Sequence, residues 1–260
     1  MNKTDEGTVS LPLRELLRFW RKQRNRSQLD LALIAGVSQR HISFIELGRS
    51  TPSRTCLLTL AETLDVPLRD RNQLLLAAGY APLFREVAWN APEMVAITRA
   101  IDRVLQKQEP YPALVLDRYW NVLKCNRAMM RFWGDYIDLE RHPKPYNLLR
   151  ILFAPEGLQP FFVNWKEAAS VLFQRVRRDS IGRTDERMSE LLAELASYPG
   201  AQELISLDRY DAPVIPFTLT RHGVHRSFLV LTTTIGTPSS ITAEELRIDT
   251  IFPLNDDWTV

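Results

Sequence analysis

Three polar side chains that follow a glycine turn have the chemistry to read nucleic acid bases. Gln39, Arg40 and Ser43 lie on the outward side of a short helical pattern that begins after Gly36. An amide pairs bidentately with adenine, a guanidinium pairs bidentately with guanine, and a hydroxyl bonds to either. These residues therefore indicate a helix that presents its polar face to a DNA groove.

Other reactive residue types form no catalytic or metal-binding pattern in the sequence. Cys56 and Cys125 belong to no CxxC motif or Cys/His cluster, which favours buried, reduced thiols over a redox-sensing pair. His222 and His225 share a segment but have no third ligand nearby, so we expect no metal site. Because GxSxG, Walker, HExxH and GxGxxG motifs are also missing from the sequence, we predict a protein that is neither an enzyme nor a cofactor carrier.

The elements that would position the polar helix are five short helices in residues 13–80. Apolar residues with helical spacing predict the first helix and the fourth, and good N-caps precede the second (28–35) and the third (39–47). A fifth is expected over 68–78. Between the second and third helices, Ala32 is small enough for a close crossing, and Gly36 tolerates the positive φ of a tight turn. Val37, Ile42 and Ile45 would seat the third helix, so the pattern predicts a helix-turn-helix.

The charge distribution agrees with a polyanionic partner. Residues 1–80 carry 12 Lys/Arg against 8 Asp/Glu, a net charge of +4, whereas the remainder carries 21 against 23, a net charge of −2. A basic segment on a near-neutral body favours nucleic acid binding when a motif supports it.

Residues 13–79 resemble the Cro/cI-like (XRE) family of repressors. The resemblance is carried by segments 17–21, 27–28, 35–38, 42–49 and 52–53. It implies an all-α, five-helix, lambda-repressor-like domain in which Arg21 and Glu46 form a buried ion bridge. The implied DNA-binding residues are Gln28, Ser38, Gln39, Arg40, Ser43, Phe44, Arg49, Ser53 and Arg54.

The resemblance gives these residues different roles. Gln28 would contact a phosphate, and Arg49, Ser53 and Arg54 would grip the DNA backbone. The three polar residues of the recognition helix would read base edges or, alternatively, touch phosphates only. Phe44 would either pack under the next loop or contact a thymine methyl group.

The second half of the chain has the pattern of an α+β domain with an antiparallel sheet. A helix over 93–108 is followed by strand, strand and helix patterns between 113 and 133, with Asn126 as the N-cap of that helix. Amphipathic helices are predicted over 161–178 and 184–197, and strands over 214–221, 227–233 and 248–254. Strands at both ends with helices between them are typical of the α+β class.

This half resembles the MmyB-like ligand-binding domain, which is PAS-like. The matching segments are 112–122, 126–128, 147–149, 153–157, 164–165, 236–238 and 244–248. The resemblance implies a fatty-acid-like or other lipophilic effector. The aromatic residues either line its pocket or simply fill a core, and an arginine would neutralise a carboxylate head group. The candidate ligand-binding residues are Trp120, Arg127, Arg131, Phe132, Trp165, Arg175 and Phe228.

We therefore predict an N-terminal extension (1–12), a DNA-binding domain (13–80), a linker (81–93) and a ligand-binding domain (94–260). The expected protein is cytoplasmic, lacks a membrane span, and binds a double-stranded operator, an inverted repeat, as a homodimer. A small apolar ligand would bias its DNA affinity. The alternatives are a C-terminal domain that serves only dimerisation or protein interaction, and an antitoxin-like partner of another protein.

Overall fold

The computed structural model describes residues 11–180, 185–201 and 214–254. These residues form two compact units. The first contains the described residues up to Glu86 together with the segment 238–244, and the second contains the other described residues. The first unit is helical, and the second combines helices with one sheet.

Local start signals determine where the helices of the first unit begin. The hydroxyls of Ser27, Ser38 and Ser53 each accept a hydrogen bond from the backbone N–H three residues further on, at 3.0, 3.2 and 3.2 Å. Such N-caps satisfy a donor that the helix itself leaves free. The helices are α1 (Leu13–Gln23), α2 (Gln28–Ala35), α3 (Gln39–Glu46), α4 (Arg54–Thr63) and α5 (Leu68–Ala77).

An apolar core joins these five helices. Leu17, Leu31, Ile42, Ile45 and Leu60 come from four of them, and each is almost completely buried. Full burial of one such side chain is worth ~1.5–3 kcal/mol. Because α3 contributes its two isoleucines to this core, its opposite face must point outward.

A long-range contact caps α5. Its N-cap position is occupied by Pro67, which makes no side-chain cap hydrogen bond. The backbone N–H of Leu68, the first residue of α5, instead donates to Oε2 of Glu244 at 2.8 Å. Glu244 belongs to α11 (Ile241–Glu245) and to the segment 238–244 of the same unit. Its carboxylate brings both an acceptor and a negative charge to the helix N-terminus, where each is stabilising.

The segment predicted as a linker is held by specific contacts. Oδ1 of Asn72 accepts hydrogen bonds from the backbone N–H groups of Leu83 and Phe84, at 2.9 and 3.0 Å, and its Nδ2 donates to the Phe84 carbonyl at 2.7 Å. In the second unit, Val87 and Trp89 pack against an apolar cluster. Residues 81–93 thus carry tertiary contacts along their length, as the two aromatics and two prolines of this segment suggested.

The second unit contains five strands and five of the longer helical elements. The strands are β1 (Ala113–Leu116), β2 (Val122–Cys125), β3 (Phe217–Arg221), β4 (Val224–Thr233) and β5 (Arg247–Pro253). The helices are α6 (Val95–Lys107), α7 (Arg127–Gly134), α8 (Leu148–Phe153), α9 (Trp165–Ser180) and α10 (Glu186–Ser197).

The strands form one antiparallel sheet in the order β2-β1-β5-β4-β3. Alternate side chains point to opposite faces of a strand. Leu114 and Leu116 of β1 join a large aromatic cluster on one face, whereas Ala113 and Val115 join Ile101 of α6 on the other. We call the face with the aromatic cluster the inner face.

The predicted fold class is confirmed: a five-helix domain precedes an α+β domain with an antiparallel sheet. The bounds of α2 match the prediction at both ends, and Asn126 caps α7, where its Oδ1 accepts from the backbone N–H of Met129 at 2.9 Å. The strand pattern at 214–221 forms a strand only from Phe217. The helix predicted from residue 161 begins at Trp165, and a 3-10 turn at Gln159–Phe161 precedes it. The short helices α8 and α11 were not predicted.

Candidate nucleic-acid interface and effector site

The turn between α2 and α3 sets the outward face of α3. Gly36 has φ 68° and ψ 29°, the left-handed conformation that ends α2, and the N–H of Val37 donates to the carbonyl of Ala32 at 3.1 Å. Gln39 and Arg40, in the first turn of α3, are exposed, and Ser43 is half-buried. The structure therefore brings the three predicted readers onto one short helix that is anchored from behind.

A buried carboxylate ties α3 to the rest of the unit. The side chain of Glu46 is 1% exposed, and its two oxygens accept from Nε and Nη2 of Arg21 at 2.6 and 2.8 Å. Burial raises the pKa of Glu46, but hydrogen bonds from Arg21 and Gln28 and the charges of Arg21 and Arg18 together hold it below its ordinary value. The ion bridge implied by the resemblance is present, and it links α1 to the end of the recognition helix.

Gln28 has a structural partner as well as a predicted DNA contact. Its amide Nε2 donates to Oε2 of Glu46 at 2.9 Å. An amide committed in this way has only its oxygen to offer, and a phosphate needs a donor. The contact predicted for Gln28 would therefore come from its backbone N–H in the first turn of α2, where helix N-termini favour anions.

Arg40 and Phe44 form a stacked pair on α3. The guanidinium carbon of Arg40 lies 5.1 Å from the centroid of the half-buried Phe44 ring. This contact lies one helical turn along the same face. The five N–H donors of a guanidinium lie in its plane, so stacking leaves the donor edge available for a base.

The predicted backbone-gripping residues flank α3 and α4. Arg49 and Arg54 are exposed, and Ser53 caps α4 through its hydroxyl. Sequence reasoning missed two arginines of α1 close to them. Arg18 donates to the backbone carbonyl of Glu46 at 3.3 Å, and the Arg14 side chain lies beside Gly48. Helical spacing places both arginines on one side of α1, and that signal was available in the sequence.

The candidate aromatic residues of the second unit meet in one cluster on the inner face of the sheet. Trp120, Phe132 and Phe228 are almost completely buried, and Phe132 meets Phe228 edge to face, with ring centroids 5.3 Å apart. Trp165 is half-buried and packs edge-on against Phe153 at 5.0 Å. Such pairs contribute ~0.5–1.5 kcal/mol beyond their burial. The indole nitrogens of Trp120 and Trp165 have no hydrogen-bond acceptor within the described ranges.

A polar turn holds Trp120 in an unusual backbone conformation. The residue has φ 65°, which disfavours any side chain with a Cβ. Oδ1 of Asp117 accepts from the backbone N–H groups of Tyr119 and Asn121 at 2.8 and 2.9 Å, and this bonding fixes the turn. Strain of this kind persists only where the surroundings over-determine it. The indole is thereby placed at a defined position in the aromatic cluster.

Two guanidinium groups lie against the Trp120 ring. The guanidinium carbon of Arg247 is 4.4 Å from the ring centroid, and that of Arg175 is 5.3 Å away. Both Nη atoms of Arg175 lie 3.3 Å from Oγ1 of Thr232, which in turn donates to Oδ1 of Asp249 at 2.7 Å. Sequence reasoning named Arg175 but missed Thr232 and Asp249. Their pairing depends on the β4–β5 register, in which they are directly opposite.

The structure separates the other two candidate arginines from this cluster. Arg127 and Arg131 line an open groove of about 440 Å³ between α6, β2 and α7. Nη2 of Arg131 lies 3.3 Å from Oε2 of Glu109, and the groove also contains Asp102 and Lys124. The groove is therefore lined by paired charges of both signs, whereas Arg175 belongs to the aromatic cluster.

Two further observations concern the described ranges only. No group of three or more His, Cys, Asp or Glu residues in them is placed to hold a metal ion. None of their helices is both long and apolar enough to cross a membrane.

A tight turn, a seated recognition helix and an exposed arginine define a helix-turn-helix DNA-binding protein. Comparison with known families agrees: residues 17–70 match the helix-turn-helix family, and residues 97–259 match the MmyB-like transcription regulator ligand-binding domain. The chain therefore belongs to the transcription regulators with an MmyB-like ligand-binding domain. A comparison with curated proteins gave no match. Both families are regulatory rather than enzymatic.

Proposed function

We propose that this chain is a sequence-specific regulator that binds an inverted-repeat operator as a homodimer and responds to a small lipophilic effector. The observation that carries the DNA-binding part is the geometry of α3. Its inner side is locked by Ile42, Ile45 and the Glu46 ion bridge, and its outer side presents Gln39 and Arg40. A reader held on a rigid element loses little conformational freedom on binding.

Base reading and backbone gripping are assigned to different residues. Arg40 stacks on Phe44, and its donor edge is free to pair with guanine, whereas Arg49 lies just beyond α3 and would neutralise a phosphate. A bidentate base contact discriminates between sequences, and a phosphate contact does not. The two arginines thus give separable signatures in a binding experiment.

Selection from a randomised duplex library with the full-length protein tests this assignment. The wild type should yield a two-fold symmetric site. Arg40→Ala should cost ~1–3 kcal/mol on that site and relax preference at one base pair per half-site. Arg49→Ala should weaken all duplexes alike and reduce the slope of log K against log salt by ~1 for each phosphate that the arginine neutralises. Equal weakening of selected and random duplexes by Arg40→Ala would show that Arg40 is not a reader.

The homodimer is proposed because a two-fold site is read by a two-fold protein. Sedimentation analysis with a duplex carrying one or two half-sites gives the stoichiometry. One protomer bound to the complete site would contradict this part of the proposal.

The effector part is supported by the family match and by the aromatic cluster. Aromatic and aliphatic side chains line most small-molecule sites, with a few polar groups that fix orientation. An acyl chain gains ~0.8 kcal/mol for each buried CH₂, so a chain of about ten carbons needs few polar contacts. Native mass spectrometry of the purified protein, compared with a denatured sample, tests for a bound lipophilic molecule.

A second candidate function is favoured by the tightness of the same cluster. Trp120, Trp133, Phe153 and Phe228 are each at most 1% exposed, as in a filled core. A C-terminal domain that serves only dimerisation would need no more than this. A ligand-free dimer in native mass spectrometry, with no change in melting temperature on addition of acyl compounds, would support this alternative.

A further inference from the structure

Arg175 is half-buried and pairs with no carboxylate within the described ranges. Its guanidinium contacts the Trp120 ring at 5.3 Å and the Thr232 hydroxyl at 3.3 Å, and no Asp or Glu oxygen of those ranges lies within 4.0 Å. By contrast, Arg118 pairs with Asp185 and Arg131 with Glu109. A half-buried guanidinium without an ion-pair partner has capacity left for an anion.

The stacking geometry leaves that capacity where an anion can use it. A guanidinium contacts an aromatic ring through its flat face, whereas its N–H donors lie at the edge of the same plane. Thr232 engages that edge only weakly, at 3.3 Å for both Nη atoms. A carboxylate bound bidentately at this edge would make shorter, charge-assisted hydrogen bonds.

The inner face of the sheet opens beside Arg175. Phe228, Val230 and Thr232 alternate along β4 and therefore point to the same face. Phe228 is 1% exposed, but Val230 is 37% exposed and Thr232 is exposed as well. The face thus changes along one strand from a sealed aromatic interior to an accessible apolar residue and then to a polar end.

The charges around this opening are predominantly positive. Arg175 and Arg247 both flank Trp120, and the carboxyl group among them is that of Asp249, which is 4% exposed. Burial raises the pKa of Asp249, and this effect outweighs the hydrogen bond from Thr232 and the two arginine charges, which lower it. A buried carboxyl with a raised pKa offsets two guanidinium charges incompletely.

From these contacts we infer that Arg175 and Thr232 form the head-group site for a carboxylate-bearing amphiphilic effector, whose apolar part lies along Val230 toward the aromatic cluster. The inference rests on the proposed effector function and adds the charge of the ligand and the residues that recognise it. It also assigns the head group to Arg175 rather than to Arg127 or Arg131.

Two probes of equal chain length separate the head group from the tail: decanoate, which is anionic, and decan-1-ol, which is uncharged. Both are titrated calorimetrically into the full-length protein. Decanoate should bind the wild type at least tenfold more tightly than decan-1-ol. Arg175→Gln should weaken decanoate roughly 10- to 100-fold, the cost of charge-assisted hydrogen bonds, and leave decan-1-ol unchanged. Arg175→Lys, which keeps the charge but loses the bidentate edge, should fall between the two.

Arg141→Gln is the matched control, because Arg141 is an exposed arginine of the same unit that pairs only with Asp138, at 3.2 Å. It should leave both affinities unchanged. Equal binding of the two probes, or loss of decanoate preference with Arg131→Gln but not with Arg175→Gln, overturns the head-group site while the effector proposal stands. If neither probe binds the wild type, the acyl effector and the head-group site both fail. Melting temperatures of the variants establish that each is folded.

Discussion

Removal of Arg21 should destabilise the DNA-binding domain far more than removal of an ordinary surface charge. Glu46 has a side chain that is 1% exposed, so Arg21→Met leaves a buried carboxylate without its main partner. Breaking a buried pair costs ~3–5 kcal/mol. Gln28 still donates to Glu46 at 2.9 Å, and Arg18 remains 3.7 Å away, so we expect the lower end of that range, about 3 kcal/mol.

The opposite single change should cost less. Glu46→Met leaves Arg21, which is 12% exposed and keeps a hydrogen bond to the Arg26 carbonyl at 2.8 Å. We expect a cost of about 1–2 kcal/mol, since water and one acceptor remain available to the guanidinium. The double variant carries no stranded charge and should be more stable than Arg21→Met alone.

Hydrogen exchange read by mass spectrometry on peptides from residues 13–80 is the appropriate assay, because it reports the stability of this domain separately from the rest of the chain. A loss of about 3 kcal/mol corresponds to roughly 100-fold faster exchange of the most protected amides. Glu15→Met, which removes an exposed ion pair with Arg14, is the control and should change exchange little. Additive losses in the double variant would refute the reasoning.

The pH dependence of the same pair has a defined sign. The folded-state pKa of Glu46 lies below its unfolded value, so the native state binds fewer protons. The stabilisation is therefore present above about pH 4.3, the ordinary value for glutamate, and is lost as the pH falls through the folded-state pKa. Wild type and Glu46→Met should converge in stability in acid.

Three further outcomes are expected. Phe44→Leu removes the ring on which the reading arginine stacks and should reduce discrimination at its base pair about two- to fivefold, as an exposed cation–π contact predicts; Phe44→Tyr should preserve it, and unchanged discrimination in Phe44→Leu would contradict the role. Gly36→Ala should cost about 1–2 kcal/mol, since φ is +68° and the new Cβ would meet nothing within 4 Å, whereas Gly134→Ala, also in open space but helical, should not destabilise. Burial and a hydrogen bond to Glu194 raise the pKa of Tyr198 to about 12, so Tyr198→Phe should leave the phenolate absorbance that develops near pH 10 unchanged, and folding stability should fall with rising pH between about 10 and 12.

Local chemistry made the first domain predictable from sequence. The start of α2, its end at Gly36 and the start of α3 depend on Ser27, Gly36 and Ser38, each of which acts within four residues of itself. The inward position of Ile42 and Ile45 follows from helical spacing. The polar face of α3 was therefore predictable before any tertiary contact was known.

Predictions that depended on non-local pairing were less complete. Local pattern identified the strands of the second unit, but the order β2-β1-β5-β4-β3 joins segments more than 100 residues apart. The helices α8 and α11, with six and five residues, are too short to show a periodic pattern.

The sequence alone determined the class of protein, the helix-turn-helix and the set of candidate residues, because caps, turns and periodicity are encoded within a few residues. The tertiary structure decided which candidates act together. It committed the Gln28 amide to Glu46, placed Arg175 against Trp120 and sent Arg127 to a separate groove. Contacts of this kind depend on the packing of distant segments, so no local pattern could distinguish one arginine from another.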